Sequence, residues 1–379
     1  MDRIYLDNNA TTRPLPEVVD VIRDRLLDSF ANPGSRHLEG RQARKVLESA
    51  REQIAEILGA DADEVVLTGG GTEASNIAIL GCTTGPPGTI VLSAGEHPAT
   101  TETCQFLEKQ GWKLLHLDVD AEGRLLSEQY ARLPWDTIHL VTLMLAHNET
   151  GVIQDLAPLG QICREKNVPF HIDAVQAVGK IPVDFHALGC TTLALGAHKF
   201  HGPRGVGALL VRQDVSLTPF QFGGHQEQGR RPGTELVALA AGMARALDTW
   251  NTERDNRAKA LTNLRDRLQL GLQQRCAPAT VNGSLDHRLP NTLNLSFPGP
   301  NRDAILVALD LEGVACSLGS TCASGSAEPA PALVAMNCPP DVYRSAVRFS
   351  LSYENTADEI DEAVERIARV IGRLRSMGN

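Results

Sequence analysis

The chain has 379 residues, 42 % hydrophobic and 22 % charged, and its 36 basic against 46 acidic side chains leave a net charge of −10. That length allows two domains and a large buried core, and the acidic balance argues against nucleic acid or an anionic membrane surface as the main partner. The charged start Met1-Asp2-Arg3 does not read as a signal peptide and no apolar run reaches membrane-spanning length, so the expectation is a cytoplasmic protein with no nucleic-acid and no membrane partner.

From about residue 16 to 255, helical and strand patterns alternate. Arg36 to Leu58 has helical spacing, and Glu64–Leu67 is a short strand running into Gly69-Gly70-Gly71. Apolar strands are predicted near 89–93, 113–117, 138–145, 169–173, 192–196 and 205–211. This alternation predicts an α/β layer around a mostly parallel sheet of seven strands. A long helix over about 234–270 carries the chain out of it. The strand Asn291–Phe297, a helix over about 301–312, a Gly/Ser-rich loop, the strand Ala346–Leu351 and a terminal helix then read as a smaller α+β domain. We place the large domain at 15–255 and the small one at 1–14 and 256–379. Eight cysteines, at 82, 104, 163, 190, 276, 316, 322 and 338, show no C-x-x-C pair and no zinc spacing. Most read as small buried apolar residues in a reducing compartment.

The chemistry concentrates where strands end. In Leu193–Gly205 an apolar run breaks at His198-Lys199 into a Gly/Pro turn. A lysine held there away from bulk water has a lowered pKa and becomes an amine nucleophile, as a Schiff base with pyridoxal phosphate (PLP) requires; an ordinary surface lysine fits the segment alone equally well. Gly71 and Thr72 open a helical run after a strand, a place where backbone N–H groups receive a phosphate, or a plain flexible turn. Asp173 ends a buried strand and needs a partner: a protonated pyridine nitrogen, or the N–H groups of the next segment. Gln176 and Asn148 are candidate donors to a ring oxygen. His97 is a candidate to stack on a ring and shuttle protons, although lone loop histidines are commonly bystanders. Arg348 offers a planar fork for a carboxylate, or lies on the solvent face of an alternating strand. Cys322 sits in a Gly/Ser/Thr-rich loop over about 316–328, read as mobile and exposed, where a thiol in a cytosolic protein is a liability unless used.

These motifs, from Tyr5–Thr12 and Asn32–Ser35 through Gly71-Thr72-Glu73, Glu96-His97, Asn148-Glu149, Asp173–Gln176, His198-Lys199, Arg231–Thr234 and Gly319–Cys322 to Arg348–Ser350, run in one order along essentially the whole chain. Together they resemble the NifS/IscS-type cysteine desulfurases of the class V aminotransferase superfamily. The resemblance implies a fold-type I PLP enzyme, a homodimer, that converts L-cysteine to L-alanine. It implies Lys199 as the cofactor's anchor and Cα proton carrier, His97 on the ring and Asp173 on its nitrogen. Asn148 and Gln176 would meet the ring oxygen, Gly71, Thr72 and His198 the phosphate, and Thr234 the phosphate of the other subunit. Arg348, with Asn148, would bind the substrate, and Cys322 would carry sulfur as a persulfide to an acceptor such as an iron–sulfur scaffold or a thio-modification system. No metal is implied. A C–S lyase or selenocysteine lyase would keep the cofactor and dispense with Cys322. Three departures stand out: Gly196 where the family commonly has a phosphate-binding serine, Leu318 for a serine, and an additional Cys316, read as a resolving thiol or a buried small residue. The chain also ends soon after its last helix, without the longer tail of some relatives, which leaves its acceptor open.

Overall fold

A computed structural model describes residues 2–318 and 330–377. The strands in chain order are β1 (Ile4–Tyr5), β2 (Val65–Thr68), β3 (Thr89–Ser93), β4 (Lys113–Leu117), β5 (Ile138–Met144), β6 (Phe170–Asp173), β7 (Thr192–Gly196), β8 (Gly207–Val211), β9 (Thr280–Val281), β10 (Thr292–Ser296), β11 (Val314–Ala315) and β12 (Ala346–Ser350). β2 to β8 form one seven-stranded sheet in the order β2-β8-β7-β6-β5-β3-β4. β8 runs antiparallel to both its neighbours, and all other pairs are parallel. The mostly parallel α/β sheet predicted from the alternation is therefore present. Its central strands are buried on every residue, because helices cover both faces and leave no solvent side to demand polar alternation.

Helix spacing follows from the same burial. α1 (Pro16–Asp28) begins on a proline, whose fixed φ suits a first helical turn. α2 (Leu38–Ile57) buries Ala43, Leu47, Ala50 and Ile54, three and four residues apart on one stripe, and His37 Nδ1 caps it by accepting from Gly40 N at 3.2 Å. α3 (Gly71–Cys82) and α4 (Pro98–Glu108) follow β2 and β3.

A second apolar core holds Ile4, Leu6, Leu293, Phe297, Phe349, Ile360 and Ile367. It lies under the β9–β10–β12 sheet, the β1–β11 pair and the C-terminal helix Ala357–Met377. The helix Val237–Arg275 runs unbroken past residue 255 and serves both cores, burying Met243 and Leu247 in the first and Leu268 and Leu272 in the second. No helix of the described residues is long and apolar enough to cross a membrane.

One buried ion pair fixes the loop that leads to Thr234. Glu227, at φ 49°, accepts from Arg51 Nη1 at 2.8 Å and Nη2 at 3.0 Å, and from Leu67 N at 2.9 Å. Glu227→Ala leaves the buried Arg51 guanidinium with only Glu48 and Val65 O and orphans the Leu67 N–H, with an expected loss of about 2–4 kcal/mol in chemical denaturation. A loss no larger than that of a surface substitution would show that this pair does not hold the loop.

Candidate active site

The parallel strands deliver their C-terminal ends to one edge. Met144 sits beside Asp173 and Asp173 beside Ala194 in the sheet register. The turns that follow β3, β5, β6 and β7 therefore converge, as the crevice rule for open α/β sheets requires. They enclose a cavity of about 200 Å³. Its lining includes Gly71, Thr72, His97, Asn148, Asp173, Gln176, His198 and Lys199, all expected, together with Ala99, Met144 and Val175, which sequence reasoning did not single out.

Lys199 is half-buried in the short turn after β7. Its Nζ donates to Asn9 O at 2.6 Å and Ala10 O at 3.0 Å. Burial, then the positive charge of Arg348, bring its pKa down to about 8, against the opposing pull of Asp173 and Asp7. The surface-lysine alternative is thereby excluded: near neutrality a useful fraction of this amine is unprotonated.

Asp173 is 5 % exposed and makes no ion pair among the described residues. Its Oδ1 accepts from Val175 N at 3.0 Å, so the capping alternative is real but occupies one oxygen only. Burial pushes its pKa up, while His97, the Val175 N–H and Lys199 pull it back down. A buried carboxyl facing a cavity and short of donors is a fitting partner for a protonated ring nitrogen.

Gly71 opens α3, whose first-turn N–H groups have no helical partner and point toward an anion's place. A Cβ on Gly71 would meet Val175 Cγ2 at 2.4 Å, and Gly70 has φ 149°, so glycine is needed at both. At Gly196 a Cβ would meet nothing nearer than 3.4 Å, so packing does not demand glycine there. Glu73 braces the turn, accepting from Gly69 N at 2.6 Å and from Arg231 Nε at 2.7 Å.

His97 caps α4, its Nδ1 accepting from Ala99 N at 3.1 Å. Its acceptor nitrogen is thus engaged and Nε2 carries the proton. Burial lowers its pKa, with Asp173 opposing and Lys199 adding to the shift. With Nδ1 engaged, His97 presents Nε2 to the cavity.

Arg348 lies on β12, where all five residues are buried, which rules out the solvent-face alternative. Nη2 pairs with Asp7 Oδ1 at 2.8 Å and Nη1 donates to Asn148 O at 3.0 Å, while Nε is buried without a partner. Arg348 does not line the cavity; it touches it through Asn148. Gln176 does line it, but its Nε2 donates to Asn9 O at 3.0 Å and its Oε1 accepts from Lys180. Thr234 is exposed and stands apart from its own chain's cavity. Cys322 lies outside the described residues. Cys316 is half-buried against the second core, and Cys104, Cys163, Cys190 and Cys276 are buried.

Sequence reasoning missed Asp7, Asn9, Glu96 and Lys180. Asn9 is the hub, reaching Asn148 O, Thr292 Oγ1, Gln176, Lys180 and Lys199. Glu96 accepts from Ser93 Oγ at 2.6 Å and Met144 N at 3.1 Å, and burial lifts its pKa to about 8. It ties the ends of β3 and β5 as a largely neutral acid. Asp7, Asn9 and Glu96 stood inside the sequence motifs without a role, and Lys180 outside them, because the contacts that define them include partners tens to hundreds of positions away.

The aminotransferase class-V family pattern matches residues 4–363. A cysteine desulfurase of Trichormus azollae is 42 % identical, over 100 % of this chain and 95 % of its own length. Among solved structures, a NifS-like protein superposes with a TM-score of 0.91 at 33 % identity, over 98 % of this chain and 100 % of that one. The protein SspA, solved in complex with cysteine, gives a TM-score of 0.82 at 30 % identity, over 93 % and 99 %. Matched by the family pattern over residues 4–363 and by these relatives over nearly its whole length, the chain belongs to the class V aminotransferase family, in its NifS/IscS-type cysteine desulfurase group.

Proposed function

We propose that this protein is a PLP-dependent cysteine desulfurase that takes sulfur from L-cysteine, releases L-alanine and carries the sulfur on Cys322. The observation that carries the reading is the pairing of an amine with a lowered pKa, Lys199, with the buried, donor-poor Asp173 across one cavity that also contains the anion-ready start of α3. Those residues fit PLP: Asp173 for the ring nitrogen, Gln176 and Asn148 for the ring edge, Gly71, Thr72 and His198 for the phosphate, Lys199 for the aldehyde carbon. When bound, PLP supplies an electron sink for negative charge developing at the substrate Cα.

The chain's own groups supply the rest. Arg348, which reaches the cavity through Asn148 O, exchanges that contact for the substrate carboxylate and so aims the Cα–H at Lys199. Lys199 Nζ takes that proton and returns it within the cavity. The His97 Nε2–H, a donor beside an incoming sulfur, favours thiolate over thiol on Cys322. The thiolate attacks the substrate sulfur, the Cβ–S bond breaks with its electron pair going to Cβ, and a proton completes the methyl group of alanine. The sulfur leaves as a persulfide on Cys322, for an acceptor protein in iron–sulfur assembly or thio-modification.

A second copy of the chain completes the site in this reading. Thr234 is exposed and remote from its own cavity, and the same segment presents Phe220 at 42 % and Phe222 at 86 % exposure. These features support a homodimer in which Thr234 serves the partner's phosphate.

The test is the carbon product from L-cysteine with a reductant, in wild type and in Cys322→Ser. Alanine with equimolar sulfide in the wild type, falling by about 100-fold or more in the variant, is the expected result. Pyruvate and ammonia, or full activity in the variant, would make the protein a C–S lyase and leave Cys322 a bystander.

A further inference from the structure

Behind the catalytic amine lies a second lysine that the proposed mechanism does not use. Lys180 is 7 % exposed and has no acidic partner among the described residues. Its Nζ donates to Asn9 Oδ1 at 2.7 Å and to Gln176 Oε1. The backbone oxygen of Asn9 links them to the catalytic amine: it accepts from both Lys199 Nζ at 2.6 Å and Gln176 Nε2 at 3.0 Å. The two amines are thus joined through one asparagine. They also line a second cavity of about 30 Å³, with His201, Arg257, Asn291 and Ser352 among its other residues. That volume suits a water molecule.

A buried amine without an anion is costly to charge, and this one sits beside Lys199 and Arg348, with Arg257 lining the same small cavity. The anions facing this cluster are Asp7 and Asp173; His198 and His201 add rings whose pKa burial lowers to about 4. Burial, Lys199 and Arg348 together push Lys180's own pKa far down. The donor pair on Lys180 has a consequence for the site: with Oε1 of Gln176 and Oδ1 of Asn9 turned toward it, Gln176 presents N–H, not oxygen, to the cofactor cavity.

Resting on the PLP reading above, we propose that Lys180 is a positioning residue for the catalytic lysine, fixing Asn9, whose backbone oxygen accepts from Lys199, and the orientation of the Gln176 amide. Lys180 touches neither substrate nor cofactor and acts only through these neighbours.

The decisive measurement is the protonation of Lys199 in the apoprotein, read as the pH dependence of its reductive methylation by formaldehyde and located by mass spectrometry. Lys180→Met removes both donors, so Gln176 Oε1 is free to turn to the cavity, where it favours the Lys199 ammonium. Lys180→Leu does the same with a different shape and so guards against a folding failure. Whichever variant retains the wild-type circular dichroism should show the Lys199 midpoint moved up by about one unit, a tenfold loss of free amine below the midpoint. The pH midpoint of the bound cofactor's absorbance should move in the same direction, and Lys180→Arg, which keeps donors and charge, should return both to the wild-type value or below. An unchanged Lys199 midpoint in a folded variant overturns the proposal. Wild-type protein that takes up no visible chromophore from added PLP would instead refute the cofactor reading, and the apoprotein labelling would still decide the role of Lys180.

Discussion

Lys199→Ala is expected to abolish alanine formation, leaving less than about one part in a thousand of the wild-type rate, since it removes both the covalent anchor and the Cα proton carrier. The loss should be in kcat, with PLP still retained by the phosphate cradle and Asp173 but released on gel filtration far faster than from the wild type. Lys199→Arg should not rescue, because a guanidinium remains protonated and cannot act as the nucleophile. The wild-type apoprotein supplies the complementary result. Burial and Arg348 set the lysine pKa at about 8, so its amine should become reactive as pH rises through that value, about two units earlier than an exposed lysine. A Lys199 that labels only above pH 10, or a Lys199→Ala variant with substantial turnover, would remove it from the chemistry.

Asp173→Asn should separate activity from stability with opposite signs. In the proposed reading the carboxylate pairs with the ring nitrogen, and losing its charge should lower kcat/KM by about 100- to 1000-fold, the range for removing one preorganised electrostatic partner. The apoprotein, however, should be no less stable at pH 8 than the wild type. Burial raises the Asp173 pKa in the fold, so at pH above that value the ionised group works against folding, and the cost disappears as pH falls and the carboxyl takes up a proton. Asparagine removes that cost and keeps the oxygen that accepts from Val175 N. Thermal melts of apo wild type and variant at pH 5 and 8 read this directly: the variant should gain on the wild type at the higher pH. A variant destabilised at both pH values would mean that Asp173 serves mainly as a structural cap, and wild-type kcat/KM would remove it from the cofactor's surroundings.

How much of this was legible beforehand depends on the range of the interaction. Each strand of the large sheet was readable from its own apolar run, because a strand buried on both faces has no choice but continuous hydrophobic residues. The residues just after those runs were then identifiable as chemistry, since a parallel sheet gathers its C-terminal ends at one edge. Eight of the cavity's lining residues follow from that logic alone. The direction of β8, antiparallel to both its neighbours, was not readable, because direction depends on where the preceding turn sends the chain and leaves no mark on composition.

By itself, then, the sequence determined which elements form and which side chains stand at their ends, since periodicity and strand termini are local properties of the chain. Only the tertiary structure decided what those side chains meet. Arg348 reads equally as a surface or a buried residue until Asp7, 341 positions away, is seen to pair with it. Lys180, in Gly179-Lys180-Ile181, looks like any solvated lysine until Asn9 arrives from 171 positions away. His97 looks like a free base until the N–H of Ala99 occupies its acceptor nitrogen. The charge state of a buried group is the sum of desolvation and a few contacts at hydrogen-bond distance, and chain folding alone brings those contacts into place.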